Sequence, residues 1–337
     1  MKKIKFNLPL VNTHSHAAMI AFRGLAEDLP LETWLKQYIW PLEKERLNPQ
    51  FVYQQTLAAI KEMKVNGIAL FNDMYFFAAE IARAAEKMKM PAVIAEGILD
   101  FPTPSAKTPD EAMKTTERLL IKYKNHPLIK VAVAPHSIYT VSAENLIRAK
   151  ELADQHKTIY HLHCAETKKE FDDCLAQNKL TPVAYLDKLG VLDQRTLLAH
   201  CVWLTDEDIK TLAQRQVKVA HCPLSNLKLG SGVAPVAKML DKGIVVALGT
   251  DGAASSNRLD IWEAGKFAAL LQKGINFDPT QISAKQAVAM MTVNGLTALG
   301  YENFRGKPLS LWQERLDKGG NYNYLYEAQA EDLDINF

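Results

Sequence analysis

Val11-Asn12-Thr13-His14-Ser15-His16 is the stretch on which the reading of this chain turns. An apolar run through Ile4, Phe6, Leu8, Leu10 and Val11 leads into it, so His14 and His16 fall at the exit of a β-strand. Side chains two apart in a strand point the same way, which lets two imidazoles at a strand end grip one cation. A lone His-x-His is equally a pair of polar residues leaving a strand. Here the pattern returns. Thr158-Ile159-Tyr160-His161-Leu162-His163 repeats it in mid-chain, and Ile244-Val245-Val246-Ala247-Leu248-Gly249-Thr250-Asp251 ends another apolar strand on a carboxylate. Three strand ends, far apart in sequence, deliver groups that a borderline divalent cation prefers.

Outward from these points, short β-branched runs alternate with longer amphipathic stretches. Strands are expected at 6–12, 67–72, 92–98, 129–135, 158–163, 196–201, 217–221 and 244–250. Helices are expected at 49–65, 78–89, 109–123, 143–155, 182–189, 206–214, 233–241 and 258–273. Strand then helix, eight times over, predicts an α/β fold in which a parallel sheet closes into a (β/α)8 TIM barrel over residues 1–300. Ser142 with Asn145, and Thr205 with Asp206 and Glu207, read as helix starts. Residues 17–48 are too many for a simple loop and are expected to fold over the barrel mouth as a substrate wall. Beyond Gly300 the pattern loosens, so 301–337 is expected to be a tail, helical or partly disordered.

With 337 residues, 48% of them hydrophobic, the chain can bury a large core. Forty Lys and Arg against 38 Asp and Glu leave a net charge of +2 and no basic stripe, which argues against a nucleic-acid partner. Cys164, Cys174, Cys201 and Cys222 form no Cys-x-x-Cys pair and read as small buried thiols in a reducing cytoplasm. Lys2, Lys3 and Lys5 precede a run broken by Asn7, Pro9 and His14, unlike a signal peptide. No segment approaches the ~18 apolar residues that span a bilayer, so no membrane partner is expected. A soluble, cytoplasmic protein acting on a small molecule is the expectation.

In such a barrel the active site lies at the C-terminal strand ends. Read in order, those ends carry His14 and His16, Asp73, Glu96, His136, His163 with Glu166, His200, His221 and Asp251. Seven of the nine histidines lie in or at predicted strands; only His126 and His156 sit in connections. His14, His16, His163 and Asp251 supply three neutral nitrogens and one anion, a set that leaves a catalytic metal a position for water, whose pKa it lowers toward ~7. Asp251 has a second oxygen to take a proton from that water. Glu166, just past the strand end, is placed as general acid, although a carboxylate favourable to a helix N-terminus reads the same way. His200 is placed to polarise the attacking water or the developing charge. His221, beside Cys222-Pro223, reads as a structural hydrogen bonder and His161 as a core histidine, each with a ligand role as the alternative. Asn72 and Asp73 are as readily structural as functional.

These residues resemble the amidohydrolase superfamily, in particular its mononuclear-metal deaminases acting on S-adenosylhomocysteine and 5′-methylthioadenosine. The likeness runs in order over about residues 6–300. It rests on Asn12-Thr13-His14-Ser15-His16-Ala17-Ala18-Met19, Arg23-Gly24-Leu25-Ala26-Glu27-Asp28-Leu29 with Trp34, and Pro135-His136-Ser137-Ile138-Tyr139. It continues through His161-Leu162-His163-Cys164-Ala165-Glu166-Thr167, Ala199-His200-Cys201-Val202, His221-Cys222-Pro223-Leu224-Ser225-Asn226-Leu227-Lys228-Leu229 and Gly249-Thr250-Asp251-Gly252-Ala253-Ala254-Ser255. The resemblance implies one Zn2+, replaceable by Fe2+ or Ni2+, on His14, His16, His163 and Asp251, with Glu166 and His200 in proton transfer. It further implies Trp34 against the purine, Glu43 on the ribose hydroxyls and His136 on the purine. From the residues alone, Trp34 is as readily a lid-packing residue and Glu43 a solvated helix acid.

Two departures bear on function. Relatives that accept the homocysteine tail usually place an arginine after the third strand; Glu96 stands there, an acid expected to repel that carboxylate and to favour adenosine, 5′-deoxyadenosine or methylthioadenosine. Relatives also carry a small β-sandwich built from both termini, which is expected to be missing here. Its loss would leave apolar barrel surface for the tail or a second copy in a homo-oligomer to cover. Hydrolytic deamination of an adenosine-type nucleoside, releasing ammonia, is the leading expectation. The alternatives are a triazine-type chlorohydrolase or guanine- or cytosine-type deaminase on the same site, and a catalytically silent metal- or nucleoside-binding barrel. The zinc deaminases with His-x-Glu and Pro-Cys-x-x-Cys boxes are excluded, since neither box is present.

Overall fold

The computed structural model describes residues 4–335. Parallel strands run in chain order around a barrel: β1 Leu10–Ser15, β2 Ile68–Tyr75, β3 Ala92–Ile98 and β4, in two pieces, Ile129–Val131 and Ala134–Pro135. They continue as β5 Tyr160–Cys164, β6 Thr196–His200, β7 Lys218–His221 and β8 Val246–Leu248. All eight fall on the predicted apolar runs. Every residue of β1, β2 and β3 is buried, as a parallel sheet covered on both faces requires.

Neighbouring strands pair from β1 to β4 and from β5 to β8. A bridge from Val133 to Tyr160 joins the two arcs, helped by the His163 N–H donating to the His136 carbonyl at 3.0 Å. Closure from β8 to β1 is built differently, largely from side chains. Thr13 Oγ1 donates to the Leu248 carbonyl (2.8 Å), Asn12 Nδ2 donates to Thr250 Oγ1 (2.7 Å) and Asn12 Oδ1 accepts from the Thr250 N–H (3.0 Å). One backbone bond completes the seam, from the Asp251 N–H to the His14 carbonyl at 3.0 Å. Contact is so close that a Cβ on Gly249 would lie 2.8 Å from His14 Cβ and 3.0 Å from Cys222 Sγ, so only glycine fits.

Helices follow most strands near the expected positions. Asn48 caps Pro49–Val65 by accepting from the Phe51 N–H, and Ser142 caps Ala143–Gln155 through the Asn145 N–H. Thr205 and Asp208 cap Asp206–Gln214 reciprocally. Several helices were not foreseen, among them the short Pro223–Lys228 and Ala253–Ser256. Lys168–Asn178 is too polar for a core stripe, burying only Glu170 and Cys174. Ala284–Met291 and Val293–Ala298 are short, apolar and largely buried, and together lie beneath β1 and β8. Residues 17–48 form a 3₁₀ turn Ala17–Phe22, then a helical run of Leu31–Thr33, a wider π-type stretch Trp34–Ile39, and Trp40–Arg46.

The tail is more structured than expected. Helix Leu309–Lys318 buries Trp312 completely, and the strand Leu333–Ile335 pairs in parallel with Ile4–Phe6. Between them, Tyr324 stacks on Trp262 (5.9 Å, 7°), whose indole N–H donates to the Ala328 carbonyl. Phe6 meets the same indole edge-on at 5.4 Å. The tail therefore covers the helix Ile261–Ile275, which carries Trp262. Among the described residues no helix is long and apolar enough to cross a membrane. Replacing Trp312 by alanine empties a fully buried indole site, and urea unfolding should show a loss of about 3–5 kcal/mol.

Candidate active site

The strand ends bring four groups together. His16 Nε2 lies 3.1 Å from Asp251 Oδ1 and 3.3 Å from His163 Nε2, and His14 Nε2 lies 3.5 Å from Asp251 Oδ1. Nε2–M arms of 2.0–2.1 Å at tetrahedral angles put neighbouring ligand atoms ~3.3 Å apart. The observed separations match that spacing.

The ring protons point the same way. Carbonyl oxygens only accept, so His16 Nδ1 donates to Met74 and His163 Nδ1 donates to His136 (2.8 Å). His14 Nδ1 faces His161 Nε2 at 2.9 Å. Each ring thus turns Nε2 toward the common point, and His14 Nε2 is fully buried with no hydrogen-bond partner. A buried orphan nitrogen costs free energy, which a cation relieves. The donor set fits a divalent ion.

Asp251 brings the negative charge. Its Oδ2 accepts from Ser225 Oγ (2.5 Å) and Ser255 Oγ (2.9 Å), leaving Oδ1 for the imidazoles. Although burial opposes ionisation, the neighbouring imidazoles of His14 and His16 hold this carboxyl well below its usual range. Burial presses His16 down too, but Asp251, Asp73 and the Met74 carbonyl outweigh it and lift its pKa to about 9. Burial drives His14 and His163 well below the ordinary histidine value. A metal bound here competes with the proton on His16, so its affinity rises with pH.

Glu166 and His200 stand beside this cluster, Glu166 Oε2 lying 3.9 Å from His200 Nε2. Burial raises the Glu166 pKa, only partly offset by His200. Asn226 Oδ1 accepts from His200 Nδ1 at 2.8 Å and turns Nε2 toward Glu166. Glu170 accepts from the Ala165 (2.9 Å) and Glu166 (2.8 Å) N–H groups, bracing a turn in which Ala165 has a φ of 51°. Asp251 and His200 also have positive φ, 60° and 72°, a strain that collects at functional turns.

A cavity of about 700 Å³, counting its open mouth, sits over the cluster. Trp34, Glu43 and His136 line it. Glu43 is buried, accepts from the Tyr75 hydroxyl at 2.6 Å, and is raised by burial to about 7. His136, its Nδ1 against the hydroxyls of Ser137 and Thr140, is driven by burial to about 3 and is neutral.

Two expectations need correction. Glu96 does not line the cavity; its carboxylate accepts from the N–H groups of Phe77 (3.2 Å) and Ala78 (2.8 Å) and from the Ser105 hydroxyl. It caps the helix Ala78–Lys87, so it repels nothing in the cavity. His221 makes no structural hydrogen bond: both ring nitrogens are buried without a partner. Asp73, in contrast, takes the Ala17 N–H and Ser15 hydroxyl, and Asn72 donates to the Thr13 carbonyl, tying β2 to the exit of β1. All four cysteines are buried thiols.

Ser225, Asn226, Ser255, Glu170 and Tyr75 went unassigned in the sequence. Only Glu170 left a readable signal, since Thr167-Lys168-Lys169-Glu170 has the spacing of a capping box. Its carboxylate reaches past the cap to the catalytic turn instead.

The amidohydrolase family model matches residues 9–304, and the chain belongs to that family. It is 49% identical over 292 residues to a 5-methylthioadenosine/S-adenosylhomocysteine deaminase of Thermodesulfovibrio yellowstonii, covering 87% of this chain and 66% of that protein. A 5′-deoxyadenosine deaminase of Methanothermobacter thermautotrophicus is 45% identical over 295 residues, 87% of this chain and 68% of the relative. The chain thus spans about two thirds of the length of these relatives. A zinc-bound adenosine deaminase structure from Xanthomonas campestris superposes with a TM-score of 0.89 at 36% identity, over 96% of this chain and 76% of the other.

Metal analysis of the purified protein should find about one divalent ion per chain, and chelation should lower the melting temperature, since the ion binds only the folded site. The variant His163→Ala should retain none.

Proposed function

We propose that this chain catalyses metal-dependent hydrolytic deamination of an adenosine-type nucleoside, releasing ammonia and leaving the inosine form. The observation that carries the proposal is a buried carboxyl whose pKa is raised, Glu166, set beside His200 and Asp251 beneath a cavity lined by Trp34 and His136. His14, His16, His163 and Asp251 would hold the metal, with zinc favoured by three nitrogens and one oxygen. When bound, a divalent ion supplies water of lowered pKa.

The chain's own groups do the rest. Glu166, whose hold on a proton is strengthened by burial, passes that proton to a ring nitrogen, which makes the amino-bearing carbon electrophilic. His200 Nε2, freed by the Asn226 bond to Nδ1, accepts a hydrogen bond from the attacking water and orients it. The spare lone pairs of Asp251 take up the proton that the departing amine needs. Water adds to that carbon, the carbon–nitrogen bond breaks to release ammonia carrying the proton relayed by Asp251, and the hydroxyl proton left on the adduct returns to Glu166 as the carbonyl forms. Two neighbouring carboxyls thereby take opposite roles, Asp251 held well below its usual range by its imidazoles and Glu166 raised by burial. Protonating a ring nitrogen is what amine displacement requires, which favours deamination over loss of chloride.

Glu43, paired with Tyr75, is suited to the ribose hydroxyls, and Trp34 to the purine face. The remaining wall is apolar, formed by Leu31, Leu35, Trp40, Phe76 and Leu99; the carboxyl groups facing the cavity are Glu43, Glu166 and Asp251, and among the described residues no Lys or Arg lines it. A methylthio or deoxy 5′ end suits such a wall. The homocysteine carboxylate finds no Lys or Arg to pair with among the lining residues, and a buried ion left unpaired costs ~1–3 kcal/mol or more. The preference for neutral 5′ substituents thus rests on the cavity wall and not on Glu96.

Two measurements test the proposal. Glu166→Gln should keep its metal and lose about 10²–10⁴-fold in kcat on the preferred nucleoside; near-normal turnover would remove Glu166 from the acid role. In kcat/KM, methylthioadenosine, 5′-deoxyadenosine or adenosine should exceed S-adenosylhomocysteine by at least about tenfold. S-adenosylhomocysteine as the best substrate would refute the specificity reading.

A further inference from the structure

We propose that His161 is a positioning residue for the metal centre: through a bond between two imidazoles it dictates which nitrogen of His14 carries the proton. The inference rests on the reading that His14, His16, His163 and Asp251 hold a cation. It is independent of which amine is released.

The argument begins at a carbonyl. His161 Nδ1 lies 2.8 Å from the Leu197 carbonyl on the neighbouring strand β6, and that oxygen can only accept. The proton of His161 is therefore on Nδ1, and its Nε2 carries a lone pair. That lone pair lies 2.9 Å from His14 Nδ1, so His14 must donate from Nδ1. What remains on His14 is an Nε2 lone pair, buried, unpartnered and 3.5 Å from Asp251 Oδ1. Both rings are wholly buried and meet at 72° with centroids 5.0 Å apart, so no water competes for the bond.

This arrangement is particular to His14. His16 and His163 receive their order directly from backbone carbonyls, those of Met74 and His136. A backbone oxygen survives any side-chain substitution. His14 alone takes its instruction from a side chain, two residues before the ligand His163 on β5. Without that acceptor, His14 gains nothing by holding its proton on Nδ1, and the competing tautomer turns an N–H toward the cation. The spacing His161-Leu162-His163 thus serves two purposes on one face of the strand: its outer imidazole ligates, and its inner imidazole orients a ligand on β1.

Three variants separate orientation from packing. In His161→Gln the amide oxygen takes the place of Nε2 and can accept from His14. In His161→Asn the amide stops at the level of Nδ1, keeps Leu197 within reach and leaves His14 unanswered. His161→Leu removes both bonds. Zinc affinity by chelator competition should fall about 10–100-fold in the Asn and Leu variants, whereas Gln should stay within about threefold of the parent protein. The visible absorption of Co2+-loaded protein should change in the same two variants and be restored in Gln. Melting temperatures of the metal-free proteins report folding; if Leu does not fold, the contrast between Asn and Gln decides. Parent-like zinc affinity in a folded Asn or Leu variant would overturn the inference, as would a folded Gln variant as weak as Asn. A parent protein that takes up no zinc would overturn the metal-centre reading together with this one.

Discussion

The meeting of β8 with β1 is the constraint on which this molecule depends. Most strand pairs are held by a backbone ladder, but this one is held by Asn12, Thr13 and Thr250 side chains and by one backbone hydrogen bond from the Asp251 N–H to the His14 carbonyl. That hydrogen bond fixes the acid's backbone to the histidine's own carbonyl, so the distance between them is inherited from strand register. Slipping β1 by one residue would turn His14 and His16 away from the common point together. The bare Cα of Gly249 lets the strands come close enough for this to happen.

Around that seam, burial works as the chemical instrument. Removing water penalises charge, so Glu43 and Glu170 are pushed to about 7 and Glu166 is raised, while His136 and His161 are driven to about 3 and about 4. Asp251 escapes because two imidazoles and two serine hydroxyls surround it. The site therefore offers one firm anion and several carboxyls that keep protons within reach of neutrality. This separation of roles comes from position and not from residue type.

Much of this was legible in the sequence where the signal is local. The period-2 spacing in His14-Ser15-His16 and His161-Leu162-His163 projects onto one face whatever the rest of the chain does. Glu96 misled because its partners, the start of Ala78–Lys87 and Ser105, belong to different elements, and nothing in its neighbours shows that a helix begins against it. Ser225 and Ser255 escaped for the same reason: each approaches Asp251 from a short helix, Pro223–Lys228 and Ala253–Ser256, with no periodic pattern of its own. The polar helix Lys168–Asn178 shows the limit of amphipathic reading, since two buried side chains make no stripe.

The strand pair Ile4–Phe6 and Leu333–Ile335 couples residues made early in translation with residues made long after. At ~5–20 residues per second the wait is on the order of tens of seconds. Throughout it, the early strand presents an open edge to whatever is nearby, and chaperones or self-association compete for it. The clasp between the two segments is thus also a clock: the nascent chain stays vulnerable until its distal segment arrives, however complete the barrel behind it.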